Sequence, residues 1–312
     1  TRIWPATCCE RGPAARAALG GLAGAVVADL RQGRVDAIER DLRLGRKGRA
    51  RRLERDDDLR RKAAAIVSYV MAEGSIWIKH NRFDAGMVNI TFADHETDLY
   101  EHFRSLCRDV FLYDIGPPQR PGNGARAIRG FICSRFVAEW LVDNGVPQGE
   151  KSARDMRLPG WVMQSRDIET LIAALQPWCD GEGSVVGHAN PSAFSIAQSR
   201  HTTLTGGEVG YGLANRRHGY VLKSKLSEVI VRDRTALCLC RERFRSTVLD
   251  DVGQLCALLG LNPKADVRCL YVKSDGFWSC IWLLTFGKQD TMKLFRLGAI
   301  TQSRKRGRFG QI

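Results

Sequence analysis

Two glutamates occupy matching positions in two short segments of this 312-residue chain. Glu73 lies in the segment IVSYVMAEG at 66–74, and Glu182 lies in LQPWCDGEG at 175–183. In each segment an apolar run ends in the acid and a glycine, and a serine and a β-branched residue follow. Two carboxylates brought together repel each other and favour a divalent cation such as Mg²⁺. Such a site suits phosphodiester hydrolysis, because the metal activates water and stabilises the leaving oxygen.

The two segments are predicted to be helices that pack on each other. Small residues recur four positions apart in both, at Ser68 and Ala72 and again at Pro177 and Gly181. Residues at that spacing share one helix face, and small side chains let two backbones approach closely. The two glutamates would then emerge side by side at the negative ends of the helix dipoles. Pro177 removes one backbone hydrogen bond and favours a kink in the second helix.

Hydrophobic periodicity predicts the same order of elements twice, αββαββα, separated by roughly a hundred residues. The first repeat, 58–145, has predicted helices at 59–73, 97–107 and 134–144 and strands at 75–80, 86–93, 110–115 and 126–133. The second, 166–312, has predicted helices at 168–182, 247–259 and 289–297 and strands at 184–188, 192–199, 267–273 and 278–286. The expected fold class is therefore α+β, with antiparallel sheets around two packed motif helices.

Three segments lie outside the repeats, and each leaves a choice open. Residues 1–57 form a basic N-terminal extension, which is either a solvated arm or a DNA-contacting segment. Residues 146–165 form a linker with two prolines. Residues 200–234 form an insertion in the second repeat, either a surface loop or a DNA contact. An alternative register takes 235–241, in place of 192–199, as the second strand of the second repeat.

Composition indicates a polyanionic partner. Lys and Arg number 48 against 34 Asp and Glu, which gives a net charge of +14. Neutralising phosphates releases counterions, so nucleic acid is the first candidate, although an ordinary basic protein has the same composition. The ten cysteines are scattered in mostly apolar runs, which is typical of free thiols in a reducing compartment. No apolar run reaches the roughly twenty residues of a membrane span, so we expect an intracellular protein without a membrane partner.

The duplicated segment resembles the LAGLIDADG motif, and the chain resembles a single-chain, two-motif LAGLIDADG homing endonuclease from residue 58 onward. The flanking segments VNITFAD at 88–94, SRFVAEWL at 134–141, GVPQGEKS at 145–152 and LPGW at 158–161 are similar to the archaeal and intein-type branch. The resemblance implies a saddle of antiparallel sheets. It also implies a monomeric, Mg²⁺-dependent endonuclease that cuts both strands of double-stranded DNA and leaves 3′ overhangs. No intein signature brackets the chain, so an intron-encoded or free-standing enzyme in an archaeal cytoplasm or an organelle is expected.

The resemblance also assigns roles to individual residues. The metal ligands implied are Glu73 and Glu182, with the backbone carbonyls of Ala72 and Gly181. Polar residues at the ends of matching strands, Asp94 and Gln198, would orient water, although Asp94 is acidic where the family more often has an amide. A basic residue after the third helix of each repeat, Lys151 or Arg304, would stabilise the charge on the phosphate. An exposed loop base explains the last two residues equally well.

The sheet face is expected to carry DNA recognition, since every second residue of a strand lies on one face. Arg and Asn on such a face can read base edges in the major groove of a target of about two helical turns. The candidate DNA-binding residues are Lys79, Arg82, Asn89, Arg126, Arg129, His188, Asn190, Ser195, Arg268 and Lys273.

Two other functions are compatible with the pattern. An RNA-binding maturase that assists splicing of its own intron would keep the fold and the charge. A DNA-binding regulator with a degenerate LAGLIDADG core would normally have lost the acids and gained a helix-turn-helix, so it ranks third.

Overall fold

The computed structural model describes residues 42–44, 48–50, 56–79, 86–122, 124–186, 193–204, 221–222, 229–231, 234–272 and 278–309. The chain divides into two compact units. The first contains 1–149, 157–181 and 298–302, and the second contains 150–156, 182–297 and 303–312. Both units combine helices with an antiparallel sheet, which confirms the mixed α+β class.

The first unit begins with a short pair of strands and then alternates helices and strands. Its elements are β1 (Leu42–Leu44), β2 (Gly48–Ala50), α1 (Asp57–Glu73), β3 (Gly74–Ile78), β4 (Gly86–Ala93), α2 (Thr97–Phe111), β5 (Ala127–Ile132), α3 (Arg135–Asp143), α4 (Gly160–Met163) and α5 (Ile168–Asp180). Strands β1 and β2 form a separate antiparallel pair within the N-terminal extension. Strands β3, β4 and β5 form an antiparallel sheet in that order.

The two motif helices, α1 and α5, pack on each other within the first unit, as predicted. Helix α1 begins where the side chain of Asp56 accepts a hydrogen bond from the backbone N–H of Leu59, 3.2 Å away. From Ala63 to Ala72 every residue of α1 is buried, which explains why this stretch reads as a continuous apolar run. Helix α5 continues through Pro177 to Asp180. Packing places α5 in the first unit, although in sequence it opens the second repeat.

One predicted strand of the first repeat is wrong. The stretch 110–115 was expected to pair with 126–133, but Val110 and Phe111 extend helix α2. Both continue the apolar face of that helix and are buried, so helical periodicity dominates over the short alternation. Leu112 then ends the helix in the left-handed region, at φ 51°. Instead of a paired strand, β5 has one isolated bridge on this side, between Arg129 and Gln119.

Tight packing positions the first sheet on α2. A Cβ added at Gly130 would lie 2.6 Å from Cε2 of Tyr100, so only glycine lets β5 approach that ring so closely. The buried face of the sheet is lined by Ile76, Val88, Ile90 and other apolar side chains. The alternate residues of all three strands therefore lie on the opposite face, away from the core.

The second unit is built on a six-stranded antiparallel sheet. Its elements are β6 (Gly183–Val186), β7 (Ala193–His201), β8 (Val221–Leu222), β9 (Val229–Val231), α6 (Arg234–Arg243), α7 (Thr247–Leu258), β10 (Lys264–Val272), β11 (Trp278–Phe286), α8 (Lys288–Arg296) and α9 (Ser303–Phe309). The strand order is β6-β7-β11-β10-β9-β8. Two short strands of the insertion thus extend one edge of the sheet.

The structure also decides the register of the second repeat. Strand β7 occupies the position predicted for 192–199, whereas 234–243 is helix α6, so the alternative register is wrong. Helix α9 was not predicted. The eight described cysteines are free, six of them buried, in agreement with the sequence. No helix in the described part of the chain is long and apolar enough to cross a membrane.

Candidate functional site

Glu73 is the last residue of α1, and the chain turns into β3 immediately after it. The backbone N–H of Gly74 bonds to the carbonyl of Val70 and caps the helix. The last turn of α1 contains no basic residue, so no neighbour on the helix offsets the dipole. A half-buried carboxylate at the negative end of a helix is electrostatically costly, and a cation would lower that cost.

The Glu73 carboxylate lies against the backbone of Gly181. A Cβ placed on Gly181 would be 2.4 Å from Glu73 Oε1 and 3.0 Å from its Cγ. Any side chain at this position would therefore displace the acid. Gly181 directly follows α5 and directly precedes Glu182 in the sequence. The small residue of the second motif is thus what allows the acid of the first to occupy this position.

A buried carboxylate that the sequence did not single out holds the end of α5. Asp180 is fully buried and accepts hydrogen bonds from Thr301 N at 2.9 Å, Thr301 Oγ1 at 2.5 Å and Gln302 N at 3.2 Å. Gln302 Nε2 in turn donates to Glu96 Oε1 at 2.9 Å, and Glu96 Oε2 accepts from Ala93 N at 3.0 Å. The sequence signal that could have identified Asp180 is an acidic residue within an otherwise apolar motif helix. We call these five residues the Asp180 network.

The Asp180 network borders two candidate site residues in sequence. Asp94 follows Ala93 in a turn, and its N–H bonds to the Arg126 carbonyl at 3.2 Å. Arg304 follows Gln302 by two positions and is exposed on α9 rather than in a loop. Lys151 is half-buried at the start of a 3-10 turn. The roles of these three residues remain predictions.

Behind α1, two polar side chains share a hydrogen bond in the core of the first unit. Tyr69 Oη and His102 Nδ1 are 3.0 Å apart. Burial raises the pKa of Tyr69 far above its usual value and lowers the pKa of His102. Both groups are therefore neutral near pH 7.

Gln198 lies inside a strand rather than at its end. Strand β7 runs three residues past it, to His201, and only 8% of Gln198 is exposed. Its Oε1 accepts a hydrogen bond from the Ser246 hydroxyl, which also caps helix α7 through Leu249 N. The strand-end placement expected from the sequence is wrong for this residue, because the strand continues where the motif spacing predicted a turn.

Two of the described candidate DNA-binding residues, Asn89 and Arg129, lie on the outward face of the first sheet, and Lys79 and Arg126 lie just beyond the ends of its strands. Lys79 and Arg126 are exposed, and Asn89 and Arg129 are half-buried on the strands. Asn89 Oδ1 and Arg129 Nε are enclosed by neighbouring atoms, and each lacks a hydrogen-bond partner among the described residues.

Of the two described candidates on the second sheet, one side chain is exposed and the other is buried. Arg268 is exposed at a β-bulge between Val267 and Cys269, a feature that re-aims a side chain. Ser195, which was expected on the exposed face, is only 2% exposed, and its Oγ lies 3.2 Å from Ser184 Oγ. Ser195 is therefore a buried cross-strand contact. Four further candidates lie outside the described residues: Arg82, His188, Asn190 and Lys273.

Across the described residues, no three His, Cys, Asp or Glu side chains cluster in a way that would hold a metal ion. A LAGLIDADG-type site would instead need two carboxylates and backbone carbonyls. The donors around Gly181 are hard oxygen atoms, the type that Mg²⁺ prefers. The local chemistry thus fits that metal better than zinc.

Comparison with known proteins finds no matching family model and no matching curated protein. Solved structures do match. A variant of I-DmoI in complex with its target DNA in the presence of Mg is 10% identical, covering 79% of this chain and 100% of that chain with a TM-score of 0.41. The homing endonuclease I-WcaI bound to its DNA recognition sequence is 7% identical, covering 80% and 85% with a TM-score of 0.41. The N-terminal LAGLIDADG domain of DUF199/WhiA is 11% identical, covering 80% and 87% with a TM-score of 0.34.

Because these matches are remote, the resemblance rests on internal features of the chain. The motif occurs twice, its two helices pack on each other, and antiparallel strands follow each helix. In these features the chain resembles the LAGLIDADG homing endonucleases.

Proposed function

We propose that this protein is a Mg²⁺-dependent endonuclease that cuts both strands of a specific double-stranded DNA site. The observation that carries the proposal is the position of the Glu73 carboxylate against Gly181. It joins the acid of one motif to the residue that precedes the acid of the other in sequence. We further propose that the enzyme cuts as a monomer, leaves 3′ overhangs and is encoded in an intron.

The residues that would hold Mg²⁺ are Glu73 and Glu182, with the carbonyls of Ala72 and Gly181. When bound, the metal supplies an activated water and stabilises the leaving oxygen. The protein must position the Glu73 carboxylate, which lies against the backbone of Gly181 on one side. Arg304 and Lys151 are proposed to stabilise charge on the phosphate.

Binding is proposed to use the outward face of the first sheet together with the overall positive charge. The net charge of +14 supplies attraction that does not depend on sequence. Arg129 and Asn89 can donate and accept at base edges in the major groove, which supplies specificity. Exposed Lys79 and Arg126 are suited to phosphates.

A second candidate is a nucleic-acid-binding protein that does not cut, either an intron maturase or a regulator. One observation favours it: Gln198, which was expected to orient water, is committed to a hydrogen bond with Ser246. This candidate predicts binding without Mg²⁺-dependent cleavage.

The test begins with selection of bound duplexes from a randomised DNA library, followed by incubation of the selected sites with and without Mg²⁺. We expect Mg²⁺-dependent double-strand cleavage. Glu73→Gln and Glu182→Gln should each slow cleavage by about a hundredfold or more, with binding in the absence of Mg²⁺ largely retained. Glu101→Gln, which changes an exposed acid on α2, is the matched control and should cut normally.

Two outcomes would contradict the proposal. Cleavage by the Glu73→Gln/Glu182→Gln double variant at the parental rate would remove the assigned chemistry. Selection of intron RNA in preference to duplex DNA, with no cleavage in Mg²⁺, would favour the maturase.

A further inference from the structure

The outward face of the first sheet carries a large apolar side chain that is about half exposed. Trp77 on β3 is 53% exposed, and it is one of three large apolar side chains so exposed among the described residues. Lys79, which directly follows the end of β3, places its Nζ 4.7 Å from the centroid of the Trp77 ring. Trp77 pairs with the half-buried Met87 across the strands, so the two side chains together present apolar area that a ligand can cover.

The strand register arranges this face in rows. Trp77 pairs with Met87, the next row on the same face pairs Ser75 with Asn89, and Thr91 pairs with Arg129 in the row beyond. The first row is apolar, and the following rows carry the half-buried polar side chains of Asn89 and Arg129. An apolar corner thus adjoins two polar side chains on the same face.

We propose that Trp77 and Met87 form a contact for the C5-methyl group of a thymine in the major groove of the DNA target. This proposal rests on the proposed function and names a base that its first sheet reads. The thymine methyl is the one apolar group that base pairs present in that groove. Residues two apart along a strand are separated by about 6.7 Å, close to the rise of two base pairs. With strands along the groove, Asn89 and Arg129 then read positions about two and four base pairs from the thymine.

The Lys79 contact favours duplex DNA over unpaired bases. A platform for single-stranded nucleic acid needs an open ring face on which a base can stack. In this structure the Lys79 ammonium lies over the Trp77 ring. The ring edge and the Met87 thioether chain can contact a methyl group without displacing that cation, whereas stacking on the covered face would require displacement.

The experiment uses the selected duplex target and replaces each thymine in turn with deoxyuridine, which removes only the methyl group. We expect one thymine at which this replacement weakens binding of the parent protein about fourfold, the value of one buried methyl-sized group. Trp77→Ser should bind the thymine and deoxyuridine duplexes equally. Leu258→Ser removes an apolar side chain of similar exposure (57%) from α7 and should keep the parental discrimination. Because Trp77 is exposed, its replacement leaves the core intact, which circular dichroism would verify.

Each remaining outcome overturns the proposal in a recognisable way. If no thymine is sensitive in the parent, or if Trp77→Ser keeps the discrimination, DNA binding stands but the methyl contact does not exist. If single-stranded RNA binds more tightly than duplex and this preference disappears in Trp77→Ser, the side chain is a stacking platform. If no duplex is selected at all, the proposed function itself fails.

Discussion

Replacement of Gly181 by alanine should displace the Glu73 carboxylate. The added Cβ would lie 2.4 Å from Glu73 Oε1, far inside van der Waals contact, so the acid must rotate away. The backbone at Gly181 has φ −79° and ψ −76°, which alanine adopts without strain. The added Cβ would also lie 3.0 Å from the Pro177 carbonyl oxygen, so the collision with Glu73 Oε1 is the larger of two close contacts.

The magnitude follows from two opposing effects. Replacing a glycine by alanine at a compatible backbone position stabilises a protein by about 0.4–1 kcal/mol. Overpacking at a close contact costs about 1–3 kcal/mol. We therefore expect Gly181→Ala to lower the free energy of unfolding by about 0.5–2 kcal/mol. In a Glu73→Ala background the collision with the acid is absent and only the contact with the Pro177 carbonyl remains, so the same substitution should cost clearly less.

Urea unfolding of the parent, the two single variants and the double variant measures this coupling as a double-mutant cycle. Gly253→Ala in α7 is the matched control. Its Cβ would meet Leu284 Cδ1 at an ordinary 3.6 Å, and we expect it to stabilise the protein slightly. Additivity of Gly181→Ala and Glu73→Ala within about 0.3 kcal/mol would show that the carboxylate does not lie against Gly181. If cleavage is found, Gly181→Ala should also slow it.

Two further predictions concern carboxylates of the first unit. Asp180→Ala removes the acceptor of three hydrogen bonds and should lower the free energy of unfolding by about 2–3 kcal/mol, with faster amide exchange at Thr301 and Gln302, whereas Glu101→Ala on the surface should change it little. Unchanged exchange at those amides would contradict the Asp180 network. Asp167 caps α5; burial tends to raise its pKa, but hydrogen bonds from Arg61 and Thr170 outweigh this and hold it at about 2, below the ordinary 3.8. The unfolded state thus binds more protons at low pH, so this stabilisation is present above pH 3.8 and is lost as the pH falls towards 2. Because both side chains of the pair are about one-third exposed, the effect should be below about 1 kcal/mol. Urea unfolding at pH 7 and at pH 3 measures how much the free energy of unfolding falls between the two, and this fall should be smaller in Arg61→Ala than in the parent.

Helix and strand order was largely predictable, because burial leaves a periodic record in the sequence. The run from Ala63 to Ala72 is apolar because α1 is buried on all sides. The same rule failed at Val110, where a short alternating stretch was compatible with both a strand and the end of an amphipathic helix. The contact of Phe111 with Trp140, whose ring centroids lie 5.1 Å apart, belongs to the packed helix.

The candidate site was predictable where it depends on duplication and not where it depends on partners distant in sequence. Glu73 was found because its motif recurs. Asp180 was missed, since the backbone amides that it binds lie about 120 residues away. Ser195 and Gln198 were assigned to accessible positions, yet neighbouring strands and helix α7 bury both.

The sequence by itself determined that two related helices end in acids, that antiparallel strands follow each, and that the chain is strongly basic. These properties are local or compositional, so they can be read from spacing and charge. Only the tertiary structure decided that Glu73 lies against Gly181, that Asp180 is a buried hydrogen-bond acceptor and that Trp77 is about half exposed. Those facts depend on which surfaces meet after folding, because the close approach of backbones and the exposure of a side chain are set by packing between segments far apart in the chain.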